Sequence, residues 1–219
     1  MLAIVGLFLL QFQILPSNSL ILVSNAPRRV IKTLKASNGA PWGSWGPPQF
    51  CAEGTYAIGY SIKAESNQGS GDDTSLNSIK LECKGLDAVR SGGIITSREG
   101  PFGHWYSEVK CPSRNGAPTF LKEFILQVEP DQYSGDDTAA NFVKFYCRDF
   151  AGLTYPSELS VSPGHGNYGS WGRWSGSCGA NSAICGLKTQ VEGDQGGGDD
   201  TALNNVEFYC CEENSEAGK

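Results

Sequence analysis

A set of eight fixed residues, Glu, Gln, Gly, Asp, Asp, Thr, Asn and Cys, is written three times along this chain: Glu65 to Cys83, Glu129 to Cys147 and Glu192 to Cys210. No copy carries an insertion or deletion, and Gly71, Gly135 and Gly198 mark a period of 64 and then 63 residues. A fixed period dominates other local signals, because a unit of this size buries its apolar face only against its neighbours. The 219 residues therefore predict a single domain with approximate threefold symmetry. It is expected over residues 27–211, with repeats at about 28–83, 84–147 and 148–211.

Within each copy the apolar residues alternate with polar ones. Tyr60, Ile62 and Ala64 correspond to Phe124, Leu126 and Val128, and to Leu187, Thr189 and Val191. After the Asp-Asp-Thr turn, Ile79, Leu81 and Cys83 correspond to Val143, Phe145 and Cys147, then Val206, Phe208 and Cys210. A period of two means strands with these faces inward. Counting a first strand within residues 28–37, four such segments per copy predict about twelve strands, and Gly, Pro, Asn and Asp between them favour antiparallel pairing. Residues 84–91 and 148–163 read as longer joins between repeats, and copy two is four residues longer between Cys111 and Glu129. Function is expected on such differing parts, the loop at 148–166 and the insertion near Asn115 among them.

An aromatic-Gly-x-Trp motif opens the copies as Trp42-Gly43-Ser44-Trp45, Phe102-Gly103-His104-Trp105 and Trp171-Gly172-Arg173-Trp174. Such rings either fill the centre of the assembly or stand outside as platforms for sugar rings. The interior is the expectation, because large aromatics dominate cores. His104 is matched by Ser44 and Arg173, which argues against a catalytic histidine.

The net charge of −6 and the lack of a Lys/Arg cluster argue against nucleic acid as a partner. Residues 1–26 carry two apolar runs, no charge, and small residues at Ser24-Asn25-Ala26, which reads as a secretory signal. No later stretch is apolar for long enough to span a membrane. Eight cysteines in a secreted chain imply four disulfides and an oxidising compartment. The repeat assigns them as Cys51–Cys83, Cys111–Cys147 and Cys178–Cys210, leaving Cys185 for Cys211. Residues 212–219 are expected to be a disordered acidic tail.

Each copy offers one Glu and two Asp: Glu65, Asp72 and Asp73; Glu129, Asp136 and Asp137; Glu192, Asp199 and Asp200. Paired carboxylates are what glycosyl chemistry requires, one to protonate a leaving oxygen and one to attack or stabilise the sugar cation. The architectural alternative is that these groups accept backbone N–H bonds in a turn opened by Gly. Threefold repetition favours architecture, since catalysis requires one environment that separates two pKa values. No metal site is expected: the alternating ligands of a calcium loop are missing, as is the paired spacing of a zinc site. A nucleophile elbow and a phosphate loop are missing too, so neither an enzyme nor a cofactor is expected.

In these three Glu-x-x-Gln-x-x-Gly-Asp-Asp-Thr-x-x-Asn blocks, the Trp-Gly-x-Trp openings and the eight cysteines, the chain resembles the vitelline membrane outer layer protein I family over about residues 28–211. That resemblance implies an all-β fold, a β-prism of three four-stranded antiparallel Greek-key sheets with pseudo-threefold symmetry. It also implies a secreted protein of egg envelopes or other extracellular fluids, with coat proteins or glycans as partners. Binding of chito-oligosaccharide-like sugars, with transferase-like activity on them, is the alternative it carries.

Overall fold

The structure, a computed structural model, describes residues 29–65, 75–132, 138–194 and 201–213. The expected signal at 1–26 and all six Asp residues of the turns lie outside the described residues. Fourteen strands are described, joined without helices: β1 (Val30–Lys35), β2 (Ser44–Trp45), β3 (Gln49–Phe50), β4 (Thr55–Ala64), β5 (Leu76–Gly85), β6 (Ser91–Thr96), β7 (His104–Trp105), β8 (Val109–Lys110), β9 (Phe120–Val128), β10 (Ala140–Arg148), β11 (Ser157–Leu159), β12 (Ser170–Trp171), β13 (Ser182–Val191) and β14 (Leu203–Glu212).

They form three antiparallel sheets. The first runs β6-β5-β4-β7, the second β11-β10-β9-β12 and the third β1-β14-β13-β2. Three consecutive strands followed by one that returns beside the first is the Greek-key order. In two sheets the returning edge strand is broken, so β8 continues β7 on β4, and β3 continues β2 on β13. The sheets are not contiguous repeats: β7 and β8 of the first sheet come from the opening of copy two, and the third sheet joins β1 to β14. Residues 84–91 and 148–163, expected between repeats, mainly connect β5 to β6 and β10 to β11 inside one sheet.

The alternating positions meet in the centre of the prism. Tyr60, Leu81, Phe124, Phe145, Leu187 and Phe208 are fully buried in one cluster, with Phe124 and Phe145 each edge-on to Phe208 at 4.7 and 5.1 Å. Tyr60 brings a hydroxyl into this core. It donates to Val143 O at 2.9 Å and accepts from Val161 N at 3.0 Å, which removes the cost of burying it unpaired.

Each long central strand carries one extra residue at the same place. The ladders slip between Ala57 and Gly59, between Leu121 and Glu123 opposite Cys147 and Tyr146, and between Ile184 and Gly186. Such a bulge shifts the inward phase by one residue. Ala57 and Tyr60, Leu121 and Phe124, and Ile184 and Leu187 therefore all face the centre although three positions apart. The bulged residues are Ile58, Lys122 and Cys185, and the neighbouring small cluster holds Tyr56, Phe120, Ala183, Cys185 and Cys211.

The disulfides are Cys51–Cys83, Cys111–Cys147, Cys178–Cys210 and Cys185–Cys211. Cys51 hangs on the third sheet through its amide to Cys185 O, Cys111 on the first through Ile58 O, and Cys178 on the second through Lys122 O. Their partners lie on β5, β10 and β14, so each of the three bonds crosses a corner from one sheet to the next. The fourth bond stays within the third sheet, between β13 and β14. The tail expected from residue 212 is corrected at its start: Glu212 ends β14, pairs with Ser182 and meets Arg29 at 2.5 Å. Residues 214–219 lie outside the described residues.

Candidate functional site

The repeated carboxylates are placed by the ends of the central hairpins. The amides of Glu65, Glu129 and Glu192 donate to Ser75 O, Ala139 O and Ala202 O, each at 2.8 Å. Those acceptor residues adopt φ of 46°, 45° and 48°, a left-handed conformation that costs a residue with a Cβ about 1 kcal/mol or more. Side chains hold it in place. Thr138 Oγ1 donates to Glu129 Oε2 at 2.7 Å and Thr201 Oγ1 to Glu192 Oε2 at 2.8 Å. Asn141 and Asn204 then donate to those threonine hydroxyls at 2.5 and 2.6 Å. Asn77 Oδ1 and Asn141 Oδ1 also accept from Phe102 N and Tyr168 N at 3.1 and 3.0 Å, tying the turns to the next edge strands. Ser75 Oγ, which donates to Asn141 Oδ1 at 3.0 Å, links the first turn to the second. Glu129 is further held by Gln132 Nε2 at 2.6 Å.

Threonine and asparagine thus complete a hydrogen-bonded chain with the glutamate of their own copy. A glutamate kept in this way is an acceptor that fixes a turn. Glu192→Gln would leave Thr201 with a neutral acceptor in place of a charged one. It is expected to lower stability by about 1 kcal/mol, measured as the midpoint of denaturant unfolding; an unchanged midpoint would remove this role.

The aromatic motif is corrected in two ways. Its third copy is Tyr168-Gly169-Ser170-Trp171, because Trp171 opposes Gln127 on β9 as Trp45 opposes Gln190 on β13 and Trp105 opposes Lys63 on β4. Gly43, Gly103 and Gly169 take φ of 74°, 74° and 76° in the same cradle, where a Cβ would lie 2.4 Å from the backbone of β13, β4 or β9. Trp174, placed in the motif by sequence, stands three residues beyond it.

None of the five tryptophans is in the core. Trp45 is 37% exposed, and Trp42, Trp105, Trp171 and Trp174 are half-buried. On each sheet one lysine lies over the motif's second aromatic: Lys188 over Trp45 at 4.4 Å, Lys80 over Trp105 at 4.4 Å and Lys144 over Trp171 at 4.9 Å. Lys188 and Lys144 also meet Glu207 and Glu158 at 3.0 Å. Edge-strand tryptophans share the outward side with the strand positions they oppose, which is why the interior filled without them. His104, exposed, stacks on Tyr106 at 5.3 Å.

Two further groups carry chemistry that composition and spacing did not single out. Lys122, 1% exposed, donates to Phe150 O, Gly179 O and Ser182 O at 2.9, 3.0 and 2.6 Å. Burial lowers its ammonium pKa to about 8, against a partial rise from Asp149. On the outer side of the first sheet, Lys110 Nζ lies 2.5 Å from Glu82 and 3.1 Å from Glu108. The glutamates gave no repeat signal because the residues equivalent to Glu82 are Tyr146 and Tyr209. The insertion in copy two forms a minute hairpin, Arg114 bridging Ala117, whose guanidinium reaches Ser157 Oγ. Among the described residues no group of three His, Cys, Asp or Glu is placed to hold a metal ion, and no helix is long and apolar enough to cross a membrane.

Fold and staples together define a disulfide-locked β-prism with threefold turns and outward aromatics. Residues 32–213 match the family described as Vitelline membrane outer layer protein I, and the chain belongs to that family. It is similar to the vitelline membrane outer layer protein 1 homolog of Mus musculus, 37% identical over 184 residues, covering 84% of this chain and 85% of that one. The Homo sapiens homolog is 39% identical over 179 residues, with coverage of 81% and 82%. Among solved structures, a mannose-specific jacalin-related lectin from Morus nigra in complex with mannose aligns with a TM-score of 0.46 and 10% identity over 86% of this chain and 97% of that one. Its sugar ligand does not transfer to this chain at that distance.

Proposed function

We propose that the protein is a secreted structural or interaction component of an extracellular coat or fluid, and not an enzyme. The observation that carries this reading is the ring of three disulfides, each crossing from one sheet to the next. A corner held covalently cannot be opened by local fluctuation, which suits a protein that persists outside the cell where thiols are oxidised. The glutamates of the turns act in this reading as parts of the frame. Expression of the full chain in a secreting cell line tests it: the protein is expected in the medium with no thiol that reacts with maleimide. Retention in the cytosol with eight reactive thiols would overturn it.

A glycan-binding module for chito-oligosaccharide-like sugars is the second reading, and the outward Trp45, Trp105 and Trp171 favour it. A lysine covers one face of each indole, so in this reading the apolar side of a sugar ring stacks on the opposite face or displaces the lysine, which then donates to a hydroxyl or amide oxygen. Calorimetry with N-acetylglucosamine oligomers is expected to show binding that Trp105→Ala weakens by about tenfold, or 1.4 kcal/mol. Absence of heat with the unsubstituted protein would end this reading and leave the structural one standing.

A further inference from the structure

The sequence holds two Asn-Gly pairs, Asn38-Gly39 and Asn115-Gly116. In such a pair the amide nitrogen of the glycine can attack the side-chain carbonyl of the asparagine, because glycine has no Cβ to block the approach. The structure puts the two pairs in opposite surroundings. Asn38 bridges two strands of the second sheet, its Nδ2 donating to Leu126 O at 3.2 Å and to Ser170 O at 3.4 Å. Its Oδ1 is buried against Gly172, where a Cβ would lie 2.3 Å from it. Gly39 is packed as closely, since a Cβ there would lie 2.2 Å from Asn205 Cγ. The Asn38 side chain therefore cannot turn back onto the Gly39 nitrogen without giving up both of its bonds.

Asn115-Gly116 has none of these restraints. It is the turn of the small hairpin inserted in copy two, where Arg114 and Ala117 exchange both backbone bonds at 2.9 Å and Asn115 and Gly116 take φ of 50° and 77°. Residues 112–117 are all exposed. A Cβ on Gly116 would meet nothing within 4 Å, and among the described residues neither the Asn115 side chain nor the Gly116 amide makes a hydrogen bond. A hairpin this short, with no third strand beside it, is marginal in water. The turn therefore opens readily and lets the Asn115 side chain swing toward the glycine nitrogen.

We propose that Asn115 is a site of spontaneous chemical modification, converted to aspartate and isoaspartate with water as the only co-reactant, while the fold protects Asn38. The Gly116 nitrogen gives up its proton to solvent base and bonds to Asn115 Cγ; the Cγ–Nδ2 bond breaks and ammonia leaves, giving a cyclic imide. Water then adds to one of the two imide carbonyls. Opening at Cγ yields aspartate. Opening at the backbone carbonyl yields isoaspartate, with the chain rerouted through the side-chain carbon. Nothing is oxidised or reduced in either branch. Both products place a carboxylate beside Arg114, whose guanidinium reaches Ser157 Oγ. Ser157 lies opposite Cys147, at the corner that the bond to Cys111 closes. Isoaspartate also adds a backbone atom to a two-residue turn whose geometry leaves no place for one. The insertion thus records the age of a chain whose frame is held by disulfides, next to one of its corners.

Ageing the full chain with its disulfides intact, in neutral buffer at body temperature, tests the proposal, with the unfolded and reduced chain as the reference. Peptide mapping by mass spectrometry is expected to show Asn115 converting about tenfold faster than Asn38 in the folded protein, because Asn38 must first give up its bonds to Leu126 and Ser170. In the unfolded chain the two sites are expected to convert at similar rates, since each is followed by glycine. Equal rates in the folded protein would overturn the proposal. So would an Asn115 that survives in the folded protein while converting in the unfolded chain. Labelling with an isoaspartyl methyltransferase gives an independent reading: the methyl group is expected on the peptide that holds residues 115–116, and label on the peptide holding residues 38–39 alone would overturn the assignment. Asn115→Gln, whose longer side chain closes the ring poorly, is expected to stop the growth of acidic species on ion exchange; undiminished growth would place the modification elsewhere and overturn it too.

Discussion

Opening the Cys51–Cys83 bond, by Cys→Ala at both positions, is expected to cost roughly 3 to 4 kcal/mol and to lower the melting temperature by roughly 10 °C. The loop it closes separates the cysteines by 32 residues, and a chain held at such a distance has lost much of its unfolded freedom. The bond joins the end of β3 in the third sheet to β5 in the first, so its loss also frees one corner of the prism. Cys111–Cys147 and Cys178–Cys210 close loops of separation 36 and 32 at the other corners and should each cost as much. Cys185–Cys211, within one sheet and at separation 26, guards no corner. Calorimetry in strong reductant reads the combined effect; an unchanged melting temperature would contradict the corner-staple account.

The second large effect is expected at Lys122. Methionine keeps the length and volume but leaves the carbonyls of Phe150, Gly179 and Ser182 short of a donor in a closed site, at a cost of about 3 kcal/mol. These carbonyls belong to the loop after β10 and to the start of β13, so the ammonium ties β9 to two other segments. The pH dependence has a definite sign. Burial holds the folded pKa at about 8, below the ordinary 10.5, so the unfolded chain binds more protons between those values. This group's share of stability therefore rises with pH through that window. Unfolding titrations from pH 8 to 10.5 should show a shallower rise in Lys122→Met than in the unsubstituted protein; parallel curves would contradict the assignment.

Much of the frame could be read from residues. Three identical blocks, alternating Tyr60-Ile62-Ala64 faces and evenly placed cysteines determine an all-β trimer of sheets, because period and parity are direct consequences of strand geometry. Parity failed at the bulges. One extra residue at Ile58, Lys122 or Cys185 changes which positions face inward, and no residue type announces it. The tryptophans were misplaced for a related reason: size favours burial, but a residue on a broken edge strand faces wherever its ladder partner does. The register of the third motif was legible in principle. Tyr168-Gly-Ser-Trp171 repeats the glycine that must sit at positive φ against β9, whereas Trp171-Gly-Arg-Trp174 only repeats the larger ring. Lys110 beside Glu82 and Glu108 required coordinates, since Gly59 on another strand makes the space that joins them.

The third sheet is built from both ends of the chain: Leu34 lies opposite Phe208, and Trp45 opposite Gln190. Strands made first during synthesis therefore wait for partners made last, and the ring has no closed form until β14 has emerged. Sheets one and two can pair as they appear, but Leu34 and the inward side of β1 remain uncovered throughout. Closure is thus a late event joining distant segments, the kind of contact that slows folding most, and the corner bond to Cys210 can form only after it.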